Sequence, residues 1–297
     1  MRPPDAAQPP TIPLAPHSNA SLPMAARQAT ARKALLRQRL PRSKRKDICG
    51  FWRRCSARVA AMAARFVLIH SPSVGPRTWQ PVAHRLTELG WEATVPSLLH
   101  VTDQGPPYWP RVVDVVRAGL GTVEQGQGLV LVAHSNAGLF IPVITAALPG
   151  QVLGSIFVDA AVPPASGAAL VAPPELLALL RDKASDGLLP RWTDWWDEEK
   201  VAPLFPDQAI RQAVTKEQPR LPLSYYEASV PVPAGWDAQP CAYLLFGPPY
   251  DELASEARGR GWIVEQLPGR HLHQLVDPDG VARSLLAIAD QMGVTKP

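Results

Sequence analysis

Ser135 lies in the segment LVLVAHSNAGLF, residues 129–140, where one apolar run ends and another begins. The residues two before and two after it are alanines, Ala133 and Ala137, with Gly138 next. A serine at so sharp a strand-to-helix turn takes strained backbone angles, and larger neighbours at those positions would collide. A helix starting there aims its unpaired N–H groups and positive end at the serine. That setting suits a hydroxyl that attacks a carbonyl and an oxyanion that develops beside it. The usual pattern is Gly-x-Ser-x-Gly, and alanine replaces both glycines here. An ordinary strand–helix turn is the competing reading.

Such a turn needs a sheet to project it, and the rest of the chain supplies the elements. From residue 66 onward, short β-rich runs alternate with longer helical patterns, the mark of a parallel sheet covered by helices on both faces. Strands are expected at 66–70, 93–96, 128–133 and 155–158, with helices at 79–89, 108–120 and 137–148. Gly90 closes the first helix, and Val112, Val115, Val116 and Leu120 share one face of the second. Residues 128–149 are apolar enough to suggest a membrane span, but His134, Ser135 and Asn136 interrupt the middle. Residues 161–239 then break the alternation. They are rich in Pro and Trp, with short helices such as 174–181 and no expected strand. The alternation resumes with strands at 241–246 and 262–267 and helices at 252–260 and 281–292. The insertion of about eighty residues reads as a helical cap over the sheet edge.

The serine turn resembles that of the α/β-hydrolase superfamily, particularly its small cofactor-free members such as esterases, methylesterases and hydroxynitrile lyases. Members often open on an apolar strand ending in His-Gly, with a Trp several residues on, and FVLIHSPSVGPRTW at 66–79 is similar. The resemblance covers residues 66–160 and 240–297. It implies the α/β-hydrolase fold and a triad ordered nucleophile, acid, histidine. With Ser135 as nucleophile, the acid falls in the loop after the 241–246 strand. Asp251 is the expected residue, with Glu252 beside it and Asp159 at the end of the fourth strand as alternatives. The closing pattern places glycine two before the histidine and proline seven after it, which Gly269, His271 and Pro278 match. His273 is then a pocket or surface residue and the alternative base. His70 corresponds to the family's loop histidine on the substrate side, which orders the loop by hydrogen bonding. His134 packs beside the turn, and His84 and His100 are isolated.

One oxyanion donor is then the N–H of Asn136. The second should come from two residues after the loop histidine, where Pro72 has no N–H to give. Ser73 or Ser71 must substitute, or a donor worth about 3 kcal/mol is lost. The expected reaction is acyl-enzyme hydrolysis of an ester, thioester or lactone with a hydrophobic part. Trp192, Trp195, Trp196 and Trp236 would wall an apolar substrate site, with ordinary packing an equal explanation for each. The rivals are a hydroxynitrile-lyase-type reaction on the same triad and a poorly catalytic ligand-binding member. No metal-ligand spacing and no phosphate-cradling loop is present, so no cofactor is expected.

Charge separates the chain into two parts. Residues 1–65 carry 14 Lys and Arg against 2 acids (+12), which leaves 16 against 24 (−8) for residues 66–297. The basicity behind a pI near 9.1 therefore belongs to the first part. That segment is Pro-rich, then Arg/Lys-rich, and has no apolar face to bury apart from a short basic stretch at 50–62. It reads as an arm for nucleic acid or an anionic membrane, as a transit peptide, or as a tail without a role in the fold. The last is the preferred reading, with Met62 as an alternative start, so neither nucleic acid nor membrane is an expected partner. Cys49 and Cys55 make a poor zinc signature, and Cys241 reads as a buried core residue. Without a disulfide framework or secretory signal, the expected location is cytoplasmic. A chain shortened to begin at Met62 should fold and keep its activity, with Tm lower by no more than about one or two degrees. Thermal melts and an activity assay check this, and an insoluble short chain would place the tail inside the domain.

Overall fold

The computed structural model describes residues 64–121 and 127–296. The expected tail, 1–65, lies outside them except for its last two residues. Six parallel strands form the main sheet: β1 (Ala64–Ile69), β2 (Glu92–Thr94), β3 (Gly128–His134), β4 (Val152–Val158), β7 (Cys241–Leu245) and β8 (Ile263–Gln266), in the order β2-β1-β3-β4-β7-β8. Between them come α1 (Gln80–Glu88), α2 (Trp109–Leu120), α3 (Ile141–Ala147), α8 (Asp251–Gly259), the short α9 (His273–Val276) and α10 (Pro278–Gln291). The sheet starts at β1, and the chain steps outward to β2, then crosses back to β3 on the other side of β1. Loops leaving β1 and β3 therefore diverge, which opens a crevice at the carboxyl ends of the strands.

The strands alternate between two apolar layers, as a period of two demands, with one register shift where β3 and β4 begin to pair. Val67, Ile69, Leu129, Leu131, Ala133, Phe157, Tyr243 and Leu245 pack on one face with α2, α3 and residues of the insertion. Phe66, Leu68, Val130, Val132, Ile156, Val158, Ala242 and Leu244 pack on the other with α1 and α10. Both faces of the four central strands are buried, so these read as nearly unbroken apolar runs.

Several boundaries differ from expectation for physical reasons. The helix expected at 137–148 begins as a 3-10 turn, Ser135–Phe140, and becomes α-helical only at Ile141. Pro142 lacks the N–H that would bond to Gly138 and so blocks a continuous α-helix. α10 starts three residues early because the Asp277 side chain accepts from Gly280 N–H and Pro278 fills the first helical position. The insertion holds α4 (Pro174–Lys183), α5 (Glu198–Val201), α6 (Gln208–Glu217) and α7 (Leu223–Glu227). It also contains a strand pair where none was expected: β5 (Gly167–Leu170) runs antiparallel to β6 (Ser229–Val232). Neither GAAL nor SVPV carries a strong strand signal, and the partners lie some sixty residues apart in sequence, so pairing rests on tertiary contact. Residues 128–149 form strand, turn and helix, and among the described residues no helix is long and apolar enough to cross a membrane.

Gly138 fixes the depth at which the serine turn sits. A Cβ there would run into the carbonyl oxygen of Ala161 and press on the Ala160 side chain. Gly138→Ala should therefore destabilise the fold by about 1–3 kcal/mol, the usual range for overpacking. Urea unfolding of the two chains measures the difference, and an unchanged midpoint would show that the 159–161 loop yields freely.

Candidate active site

The serine turn has the strained backbone expected of it. Ser135 has φ +60°, and the only other positive-φ residues besides glycine among the described residues are Asp159 at +39° and Asp186 at +51°. Conformations of this kind cost about 1–3 kcal/mol each and persist only where their surroundings hold them. Here the holding bonds are visible. Ser135 N–H donates to the Asp159 carbonyl at 3.2 Å, and Ala161 N–H donates to the Ser135 carbonyl at 3.0 Å. Tyr243, buried in β7, both accepts from Ala160 N–H and donates to Ala160 O at 3.0 Å. Two adjacent strand ends are thus sewn together, with Ser135 on one and Asp159 on the other.

His271 follows β8 and reaches across to Ser135, with 3.0 Å between Nε2 and Oγ. On the far side of the ring, Nδ1 faces Asp159 Oδ2 at 3.5 Å. Both atoms are buried and neither has another partner, so each is the other's available complement. Contacts of this kind are commonly loose without substrate. Asp159 Oδ1 accepts from Phe246 N–H at 2.7 Å, which orients the carboxylate. Burial pushes its pKa up to about 7 and pushes His271 down to about 3. A neutral imidazole is therefore favoured at Nε2, able to accept the Ser135 proton.

The acid expected at Asp251 is not brought to His271. Asp251 begins α8 with its side chain exposed, and Glu252 follows it in the same first turn, where both complement the helix's positive end. The place beside the imidazole that a loop after β7 could reach is taken by Tyr250. Its ring stacks on His271 with centroids 4.8 Å apart and planes 7° apart, and its hydroxyl lies 3.3 Å from Nε2. Sequence reasoning missed Tyr250, although it stands directly before the residue chosen as acid. His273 faces away from Ser135 and packs against Phe246. Its ring fills the space a Cβ on Gly269 would need, which accounts for that glycine.

Two further histidines frame the site. His134 Nε2–H donates to the His271 carbonyl at 2.7 Å, and the two rings lie 4.5 Å apart. His70 is fully buried and spends both nitrogens on backbone, donating from Nδ1 to Ser71 O at 2.8 Å and accepting Leu98 N–H at Nε2 at 2.9 Å. These bonds tie the ring to the loop after β1 and to the segment after β2, the loop-ordering arrangement expected of it. Ser71 Oγ and Ser73 Oγ lie 2.8 Å apart, and Ser73 N–H reaches Ser71 Oγ at a long 3.5 Å. At the serine turn, Asn136 accepts from Tyr225 hydroxyl at 2.5 Å and donates to Val171 O at 2.9 Å, so the insertion grips its side chain. The backbone N–H of Asn136 stands in the first turn, where no intrahelical acceptor exists.

The tryptophans divide. Trp192 approaches His271 with ring centroids 6.0 Å apart, and Trp195 packs edge-on against Tyr226. Trp196 joins the apolar cluster of the insertion with Trp192, beside Leu272 and Leu275. Trp236 instead packs on Phe157 and Trp262 and donates to Pro164 O. That is a structural role, and it corrects the expectation of a wall residue.

Residues 66–284 match the alpha/beta hydrolase family. The chain belongs to that family. Among solved structures it is similar to an extracellular α/β-hydrolase from a Paenibacillus species, described as sharing structural and functional homology with tobacco salicylic acid binding protein 2. That likeness has 19% identity and a TM-score of 0.60 over 76% of this chain and 98% of the other. Polyneuridine aldehyde esterase, in a mutant form, is 15% identical with a TM-score of 0.60, covering 77% of this chain and all of the other. Tomato methylketone synthase I, complexed with β-ketoheptanoate, is 12% identical with a TM-score of 0.58, covering 77% and 98%. At these identities the likeness is one of fold. No curated protein matches the chain in sequence.

The buried histidines make stability depend on pH. Burial lowers His70 from 6.5 to about 4 and His134 to about 3. The folded state thus binds fewer protons than the unfolded state below pH 6.5, so stability is full above that value and falls as pH drops toward the folded pKa. Each such histidine contributes a slope of up to about 1.4 kcal/mol per pH unit within its window. Urea midpoints taken from pH 7 down to about 4.5 should fall, and His70→Gln should remove about one proton's share of the slope. An unchanged slope would mean that His70 is not held neutral.

Proposed function

We infer that the protein is a serine hydrolase that cleaves a carboxylic ester, thioester or lactone with a hydrophobic part through an acyl-enzyme. The observation that carries this reading is Ser135 Oγ at 3.0 Å from His271 Nε2, on a residue held at φ +60°. Ser135 attacks the carbonyl while His271 takes its proton and later returns it to the leaving group. Asp159 replaces Asp251 as the acid, holding Nδ1–H and stabilising the imidazolium that forms. Water then repeats the sequence on the acyl-enzyme, with His271 as its base.

The oxyanion is received by Asn136 N–H and the Ser73 hydroxyl. Ser71 Oγ and Ser73 Oγ are hydrogen-bonded and Ser73 also adjoins the Tyr226 hydroxyl, so an oxyanion in the site would compete with these groups for the Ser73 proton. This chain of donors compensates for the N–H absent at Pro72. Trp192 beside His271 supplies an apolar wall consistent with a hydrophobic group on the substrate. No nucleic acid, membrane or cofactor enters the reading.

Labelling with a fluorophosphonate probe, beside a Ser135→Ala control, tests the nucleophile, and an ester and lactone panel then defines the substrate. Asp159→Asn should lower turnover by about 10⁴-fold, because the imidazole would be held in the wrong tautomer. Asp251→Asn should stay within about threefold of wild type, as expected for an exposed helix-terminal charge. Labelling that survives Ser135→Ala would sink the reading, and a severe loss at Asp251 would return the acid to the loop after β7.

A further inference from the structure

Three polar groups meet at one corner of the site. His271 Nε2 has the Ser135 hydroxyl at 3.0 Å and the Tyr250 hydroxyl at 3.3 Å, and Tyr250 also adjoins Ser135 itself. Nε2 of a neutral imidazole has one lone pair and accepts one good hydrogen bond. The shorter contact, from Ser135, is the one the reaction needs, so the phenolic proton is shared between a long contact to Nε2 and the neighbouring Ser135 hydroxyl oxygen. The near-parallel stacking of Tyr250 on His271 keeps the hydroxyl at the Nε2 edge and does not let it swing toward Asn136.

We propose that Tyr250 is a further catalytic residue, whose hydroxyl donates a hydrogen bond to the leaving-group oxygen as it departs. The inference rests on the hydrolase reading above. Once His271 has taken the Ser135 proton, Nε2 carries N–H and no lone pair, so the Tyr250 O–H loses its acceptor there. At that stage the leaving-group oxygen lies in front of Nε2 and gains negative charge as the carbon–oxygen bond breaks. The proton on Nε2 passes to that oxygen, while the phenolic proton stays on Tyr250 and stabilises the charge. No net proton comes from the tyrosine. A donor fixed in a buried site and aimed where charge develops needs little reorganisation, which makes it effective. Burial raises the Tyr250 pKa, which keeps the phenol protonated as a donor. The oxyanion hole lies by Asn136 and Ser73, so this donor serves the other oxygen.

A donor of this kind matters in proportion to how badly the leaving group departs. Comparing wild type with Tyr250→Phe on two esters of the same acid, one p-nitrophenyl and one alkyl, separates this role from packing. kcat/KM should fall about 10²–10³-fold for the alkyl ester and less than about threefold for the nitrophenyl ester. Equal losses on both would overturn the inference and leave Tyr250 as a positioning residue acting through its ring. If Tyr250→Phe shows no folded melting transition, 3,5-difluorotyrosine at this position keeps the ring and acidifies the phenol. Alkyl-ester activity should then be lost at lower pH than in wild type while the nitrophenyl profile stays put, and two unmoved profiles would overturn the inference. A wild-type chain labelled at Ser135 that expels neither alcohol overturns this inference alone. One that is neither labelled nor active removes the hydrolase reading and this inference with it.

Discussion

The backbone of Ser135 sits in a conformation that an L-residue adopts only under constraint, and much of the site depends on what holds it there. The holding groups come from the next strand. Ser135 N–H and C=O bond to the 159–161 loop, Gly138 lets that loop approach closely, and Tyr243 fastens the loop from below. Bonding Ser135 to the Asp159 carbonyl also sets where the Asp159 carboxylate can stand. The same contacts that stabilise the nucleophile's backbone thus bring the acid to the imidazole. Strain at one residue and charge placement at another are consequences of one pairing of strand ends.

Electrostatics inside the site follow from exclusion of water. His70, His134 and His271 are pushed toward neutrality, and Asp159 is pushed toward protonation. In such a medium a hydrogen bond is strong and an unpaired polar atom is expensive. The hydrogen-bond pattern accordingly assigns the nitrogens of His70, donates His134 Nε2–H to the His271 backbone, and faces His271 toward two different partners. The His70 and His134 rings are thus placed by backbone groups that mutation of side chains does not remove, whereas the His271 ring is placed by the side chains of Ser135, Asp159 and Tyr250.

Much of this was legible in the sequence. Apolar runs of five to seven residues placed the four central strands, because strands buried on both faces carry a dense signal. Small residues around Ser135 announced the turn, and Gly269, His271 and Pro278 pointed to the histidine that lies beside Ser135. The acid was not legible, since Asp159 and Asp251 each follow a strand ending at the same edge. Which of them the imidazole meets depends on a positive φ at Asp159 and on Tyr250 occupying the other place. Neither fact has a pattern in one sequence. β5 and β6 escaped notice for a related reason: short strands of low propensity exist only because distant segments meet.

The insertion is fastened at both sides of the nucleophile. Asn136 is held through Tyr225 and Val171, while Glu217 receives Arg77 N–H at 2.9 Å and pairs with its guanidinium at 3.1 Å, next to the loop that carries Ser71 and Ser73. Yet β4 and β7 are neighbours in the sheet, so pairing them closes a loop of about eighty residues whose entropy must be met before either latch can form. The order of assembly follows. The first half of the sheet, built on β1, β3 and β4, closes shorter loops than the insertion does, whereas His271 reaches Ser135 only once β7 and β8 have joined it. Synthesised from its amino end, the chain carries Ser135 long before His271 exists, so the meeting of these two side chains is among the last contacts it can make.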